Sequence, residues 1–452
     1  MAGLSPKKAQ IVQMLVETAP DRVVGGLQNA LSMVRGESAL GEVRDLVERE
    51  VADRLLRNAV FSPVLPLFGG AAGPDQMTFP PKALSLIWRG VKATDPAGVE
   101  AAAITLADFQ PEETSTEPFD LAVAGALEGL KAGTQRDFAA ALEVLDAFGV
   151  EARDDLLVCL EISAVVRETA QRLPDWLNRT TEESAAAARV AYKDAVTLVE
   201  DSGPRFFQML SAHLVDRWTI LRVISAVMDR PPEQYLADSE LAVFALRLMD
   251  AIDRGLEQVS TFDLNGGIAV GRGAGLVADV ITRQISELEG GIELAKGSGW
   301  GSRIQKQKHG LASTVEARLR DVEKVSAAAF PSQSLRVGRS TRNVPRLTEM
   351  PDKATSDRAT TLLTFVDAIR SSANYGGFAS TRTKVVEKLG ETIDNYVEEV
   401  LAMIRESEAP DPEIARAYLL LAADHSAIIR EPRTGDVIRR RATAALGDPL
   451  AA

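Results

Sequence analysis

STRTKVVEKLGETIDNYVEEVLAMIRE, residues 380–406, is the stretch from which the fold can be read. Val386, Leu389, Ile393, Tyr396, Val400 and Met403 fall at spacings of 3, 4, 3, 4 and 3, and Val385, Val397 and Leu401 widen the stripe. Side chains three and four residues apart share one face of a helix, so this is an amphipathic helix with an apolar side to bury. It holds too few heptads for a free coiled coil, and a partner helix in the same chain is predicted.

Working outward, the same period places helices at 239–260, 272–295, 303–329, 354–374, 411–429 and 433–446. The first half reads as shorter helices punctuated by proline and glycine. Ser5-Pro6 opens the first, with Ile11, Leu15 and Thr18 on its face. The next carries Val24, Leu27, Leu31 and Val34, and a longer one carries Leu40, Val43, Leu46, Val47, Val51, Leu55 and Val60. Ser62–Pro81 is an apolar loop whose Val64, Leu65, Leu67 and Phe68 are expected in the core. Helices follow at 82–93, 96–108, 119–131, 135–148, 152–172 (ended by Leu173-Pro174), 184–200 and from Gly203 to Pro231.

Strand signals are almost absent, Ser334–Val337 being the best, and no repeat of fixed period appears. The fold class is therefore all-α: a multi-helix, two-lobed array or bundle of antiparallel helices with little or no sheet. Pro231-Pro232 marks the boundary. Residues 1–232 form a lobe of short packed helices, and residues 233–452 form one of longer bundle helices with a basic Gly/Ser-rich loop region at 296–346.

Composition limits the function. The chain has 452 residues, 46% hydrophobic and 25% charged, with net charge −13, which argues against a general nucleic-acid coat. Cys159 is the lone cysteine, so no intramolecular disulfide can form, and the cytoplasm is the expected compartment. No signal peptide or bilayer-spanning run is read. The alanine, arginine and leucine usage points to a bacterial chain encoded at high GC.

No catalytic motif stands out. Gly271-Arg272-Gly273-Ala274-Gly275 resembles a phosphate-cradling turn but lacks the preceding strand and βαβ setting, so a close helix–helix approach is the favoured reading. His213, His309 and His425 are far apart and lack metal-ligand spacing. His213 reads as a hydrogen-bonded, half-buried residue and Cys159 as core. No cofactor or metal site is predicted.

The exception is the segment from Lys296 to Arg346, where eleven cations face three acids. Ser298, Gly299, Gly301 and Ser302 offer backbone amides at a helix start, an anion-binding geometry, and Trp300 adds a stacking group. The candidate binding residues are Lys296, Trp300, Arg303, Lys306, Lys308, Arg336, Arg339, Arg342 and Arg346. Arg430, Arg433, Arg439, Arg440 and Arg441 form a second basic group. The bland reading is a solvated loop pair that balances acidic helices in the same chain. The functional reading favoured is a non-catalytic scaffold or adaptor whose partner is another protein, with a homo-oligomer also open. The alternatives are a peripheral binder of an anionic polymer or lipid surface through 296–346, and a helical enzyme whose site is assembled from distant residues.

Overall fold

The computed structural model describes residues 5–33, 38–69, 76–110, 114–179, 181–297, 299–337 and 340–446. Among these are twenty α-helices and one two-stranded sheet, an all-α multi-helix fold. The chain divides into two compact units, Met1–Asp229 and Arg230–Ala452.

The first unit begins with α1 (Pro6–Thr18), α2 (Asp21–Ser32) and α3 (Ser38–Val60). Their small core is Val16, Val24 and Val47, flanked by Val12, Ala19, Leu31, Val43 and Val51. Arg54 locks the corner: it donates to Glu50, to Asp21 and to the carbonyl oxygens of Val16 and Glu17. Both carbonyls lie in the last turn of α1, where the helix leaves Glu17 O without a backbone donor and gives Val16 O only the Ala19 N–H at 3.3 Å. Of the 62–81 segment, residues 70–75 lie outside the described residues, and Leu65, expected in the core, is half-buried. Val64, Leu67, Phe68 and Phe79 are buried, a 3-10 turn spans Leu65–Leu67, and Phe79 N–H donates to Leu67 O at 2.8 Å.

Next come α4 (Pro81–Thr94), α5 (Pro96–Ala107), α6 (Glu117–Ala132), α7 (Arg136–Phe148), α8 (Ala152–Glu161) and α9 (Ser163–Asn178). The unit closes with α10 (Glu182–Leu198), α11 (Gly203–Ala212) and α12 (Ile220–Val227). Arg167 of α9 is the interior tie. It donates to Asp120 at 2.8 Å, to Ser62 Oγ, and to the Ala59 and Val60 carbonyls at the end of α3.

The second unit comprises α13 (Glu233–Ala237), α14 (Ala242–Thr261), α15 (Gly267–Gly291), α16 (Gly299–Ala329), β1 (Ser332–Val337) and β2 (Ser340–Pro345). Four more helices follow: α17 (Lys353–Ala368), α18 (Ala379–Arg405), α19 (Pro412–Ile429) and α20 (Pro432–Leu446). Most of the α18 stripe faces the core: Val385, Leu389, Ile393, Tyr396, Val397, Val400 and Leu401 are buried, while Val386 and Met403 at its edge are half-buried.

Several expectations need correction. Residues 152–172 are not one helix: Ile162, fully buried, separates α8 from α9. Pro174 lies inside α9 rather than ending it. The missing N–H costs one backbone bond, but Leu173 and Trp176 on either side are buried and hold the last turn in place. The stretch from Gly203 to Pro231 breaks between Ala212 and Arg217, although Phe207, Leu210, Leu221 and Ile224 on both pieces are buried. In α1 the core side is Val12, Val16 and Ala19, whereas Ile11 and Leu15 are exposed. Leu27 and Leu55, expected in the core of α2 and α3, are also exposed. Val34 lies outside the described residues. The 296–346 region is mostly regular structure: a turn, the 31-residue α16, and an antiparallel hairpin pairing Ser332 with Pro345 through Val337 with Ser340.

Candidate functional site

The basic segment starts at a helix N-terminus, where the first backbone N–H groups lack carbonyl partners. At α16 those donors already have an acceptor. Glu233, 7% exposed, accepts from Ala295 N at 2.9 Å, Trp300 N at 2.6 Å and Gly301 N at 3.1 Å. Gly299 sits at φ +56, and a Cβ there would meet Glu233 Oε1 at 1.9 Å. The amide cradle expected to hold an external anion thus holds a carboxylate of its own unit. Ser298 lies outside the described residues.

The cations divide along the segment. Arg303 donates to Asp250 and Asp253, both at 2.5 Å. Burial works against its charge, and the two carboxylates outweigh that, holding the guanidinium above its usual pKa. Lys308 lies 3.0 Å from Glu289 and over the ring of Tyr375. Lys296, Lys306 and Arg346 are exposed, and Trp300 is half-buried. Arg336 and Arg342 belong to the hairpin backbone, with Arg336 opposite Thr341 and Leu335 opposite Arg342. Arg339 lies outside the described residues. Three of the five arginines of the C-terminal basic group are matched by acids, while Arg433 and Arg440 are exposed and Arg440 donates to the Asp436 carbonyl. Arg430 pairs with Asp394, Arg439 with Asp424 and Asp436, and Arg441 with Glu398. Such exposed pairs contribute about 0–1 kcal/mol each. Their effect here is to neutralise charge locally rather than to stabilise.

Apolar exposure is concentrated elsewhere, and sequence reasoning missed it. On α1, Ile11 is 49%, Met14 58% and Leu15 58% exposed; on α2, Val23 is 49% and Leu27 40% exposed. Met33 follows α2 at 82%. Ile11, Met14 and Leu15 fall at i, i+3 and i+4, the spacing by which one helix face meets another. Each helix therefore has two apolar sides: one faces α3 and the other faces solvent. The signal was present as apolar residues in excess of one stripe.

The remaining chemical groups are internal. Cys159 is fully buried against Met77; burial pushes its thiol up and Asp155 adds to that, so no reactive thiolate is available. His213 Nε2 lies 3.1 Å from Pro63 O, and burial lowers its pKa. His425 is fully buried, with Nε2 3.3 Å from Thr360 Oγ1 and its ring edge-on to Phe330; burial lowers it to about 4. His309 is exposed. The Gly271–Gly275 run is helical, part of α15, and a Cβ at Gly271 would meet Thr361 O of α17 at 2.1 Å. It is the close helix–helix approach expected rather than a phosphate loop. Among the described residues no group of three or more His, Cys, Asp or Glu could hold a metal ion, and no helix is long and apolar enough to cross a membrane. No protein-family model, curated protein or solved structure matches the chain.

Proposed function

We propose that the chain is a non-catalytic helical scaffold that binds another protein through α1 and α2, the partner contributing an amphipathic helix. The observation that carries this reading is the second apolar side of those helices, with Ile11, Met14 and Leu15 on α1 and Val23 and Leu27 on α2 at least 40% exposed. Burying a leucine or methionine side chain of this kind is worth roughly 1.5–3 kcal/mol, so a few of them suffice for a specific contact. Helix-spaced anchors favour a helix as the complement. The ion pairing of Arg303, Lys308, Arg430, Arg439 and Arg441 within the second unit supports a protein partner over an anionic polymer.

The test places a photo-crosslinking residue at Leu15 or Leu27 in the native cell and maps the adduct to a peptide. The purified partner is then titrated against wild type and a Leu15→Glu/Leu27→Glu variant. The expected result is an adduct within an amphipathic helix of one other protein, and binding weakened roughly a hundredfold in a variant that keeps its helicity. Adducts only with a second copy of this chain, or equal binding by the variant, would overturn the reading.

A further inference from the structure

A cavity of about 440 Å³ lies in the second unit where four segments converge. Arg370 comes from the turn after α17, Arg382 and Val386 from α18, Ile429 and Arg430 from the end of α19, and Thr434 from the first turn of α20. Three guanidinium groups therefore line one concavity, against a single lining carboxylate, Glu431.

The three arginines are not equivalent. Arg430 is committed: its two terminal nitrogens bond both oxygens of Asp394, at 3.0 and 2.8 Å, and its head lies close over Gly390. Arg382 is half-buried and donates Nε to the Val366 carbonyl at 2.8 Å, which holds the side chain in place and leaves its charge unmatched by a carboxylate contact. Arg370 is exposed. Among the described residues neither Arg370 nor Arg382 makes an ion pair. Burial lowers the pKa of Arg382; the Asp367 charge opposes that, and the Arg370 charge adds to it. Like charges coexist here because Arg370 and Arg430 follow the C-terminal ends of α17 and α19, whose carbonyl ends carry partial negative charge.

The shape and charge specify a ligand class. Two unpaired guanidinium forks match the geometry and charge of a phosphomonoester, which carries about −1.5 to −2 at neutral pH. Val386 and Ile429 supply an apolar wall, and the volume lies at the small-molecule end of the range for ligand cavities. We propose that this cavity binds the phosphomonoester group of a small molecule, with Arg370 and Arg382 as the binding cations and Val386 with Ile429 against the ligand's neutral body. Arg430 serves as a fixed wall whose position Asp394 sets.

The experiment titrates the full chain with inorganic phosphate, glycerol phosphate, adenosine monophosphate and citrate, followed by calorimetry and phosphorus NMR. Arg382→Gln, Arg370→Glu and wild type are compared; Arg370 is exposed, so its replacement leaves the helices intact and keeps the test valid if Arg382→Gln fails to fold. The expected result is saturable binding of a phosphomonoester, tighter than inorganic phosphate, weakened about tenfold or more by either substitution and reduced by salt. Inorganic phosphate binding as well as either ester would show that Val386 and Ile429 meet no ligand body, and would overturn the assignment of a small-molecule ester. Absence of saturation by any phosphate, preference for citrate, or equal affinity in Arg370→Glu would overturn the proposal.

Discussion

The carboxylate of Glu233 occupies the place that a bound anion would take at an open helix N-terminus. Three backbone N–H groups, from Ala295, Trp300 and Gly301, converge on its two oxygens. Removing it leaves the buried Gly301 N–H without its acceptor and strips the part-buried bonds from the Ala295 and Trp300 N–H groups, and an unsatisfied buried donor costs about 1–3 kcal/mol. Glu233→Ala is therefore expected to lower the stability of the second unit by roughly 1–3 kcal/mol, the cost of the one buried donor it strands. The vacated cradle should then accept a small anion from solution, so sulfate or acetate should raise the melting temperature of the variant much more than that of wild type. Equal anion responses in the two proteins would refute this account of the α16 start. The glycines that form the cradle were legible in the sequence: Gly299 and Gly301 at a helix start mark amides free to converge. Their acceptor was not, because Glu233 lies more than sixty residues earlier and only tertiary packing joins the two. For the same reason the run of cations read as a surface in sequence, while Arg303 in the structure is joined to Asp250 and Asp253 of α14.

At the scale of elements, α15 and α17 meet through glycine. A Cβ at Gly271 would meet Thr361 O at 2.1 Å, and one at Gly275 would meet Ala368 Cβ at 2.4 Å, whereas one at Gly273 meets nothing within 4 Å. Three glycines two residues apart on one helix thus make opposite predictions. Gly271→Ala and Gly275→Ala force backbones apart and should each destabilise by about 1–3 kcal/mol. Gly273→Ala removes only backbone freedom from the unfolded chain and should stabilise by about 0.5–1 kcal/mol. Denaturant midpoints of the three variants decide it; a common sign for all three would show that the contact does not set the helix spacing. Other features of the elements were legible to different degrees. The α18 seam has one apolar stripe, so its face had one solution. In α1, Ile11 and Leu15 compete with Val12 and Val16 as the core stripe, a rotation of about 100° on the helix, and periodicity alone cannot rank two apolar stripes. The breaks at Ile162 and between α11 and α12 were invisible because apolar residues continue on both sides of each turn, and the period counts them as one helix.

At the scale of the whole molecule, each compact unit holds one histidine below its usual pKa, and this links the two units to pH separately. In the first, burial lowers His213, with the Pro63 carbonyl opposing. In the second, burial lowers His425 from 6.5 to about 4, with Asp424 opposing. The direction of the effect follows from proton counting. Below pH 6.5 the unfolded chain protonates His425 while the folded chain does not, so acid favours unfolding until the pH falls to about 4, where the folded form protonates too. Above pH 6.5 both states are neutral and the histidine contributes no pH dependence. A separation of this size corresponds to roughly 3 kcal/mol lost between those limits, at 1.36 kcal/mol per pKa unit. For a unit of this length that is about 6–12 °C in melting temperature. The Nδ1 atom of His425 has no hydrogen-bond partner, so His425→Leu removes the titrating group at the cost of the single contact to Thr360. Scanning calorimetry from pH 7 to pH 4 should show the second unit's transition falling steeply in wild type and much less in His425→Leu. Carboxylates titrate alike in both proteins, so the difference between the two curves isolates the histidine. Parallel curves would mean that His425 takes up its proton at the same pH in the folded and unfolded chains, which its contacts with Phe330 and Thr360, and the absence of a carboxylate bonded to its ring, argue against.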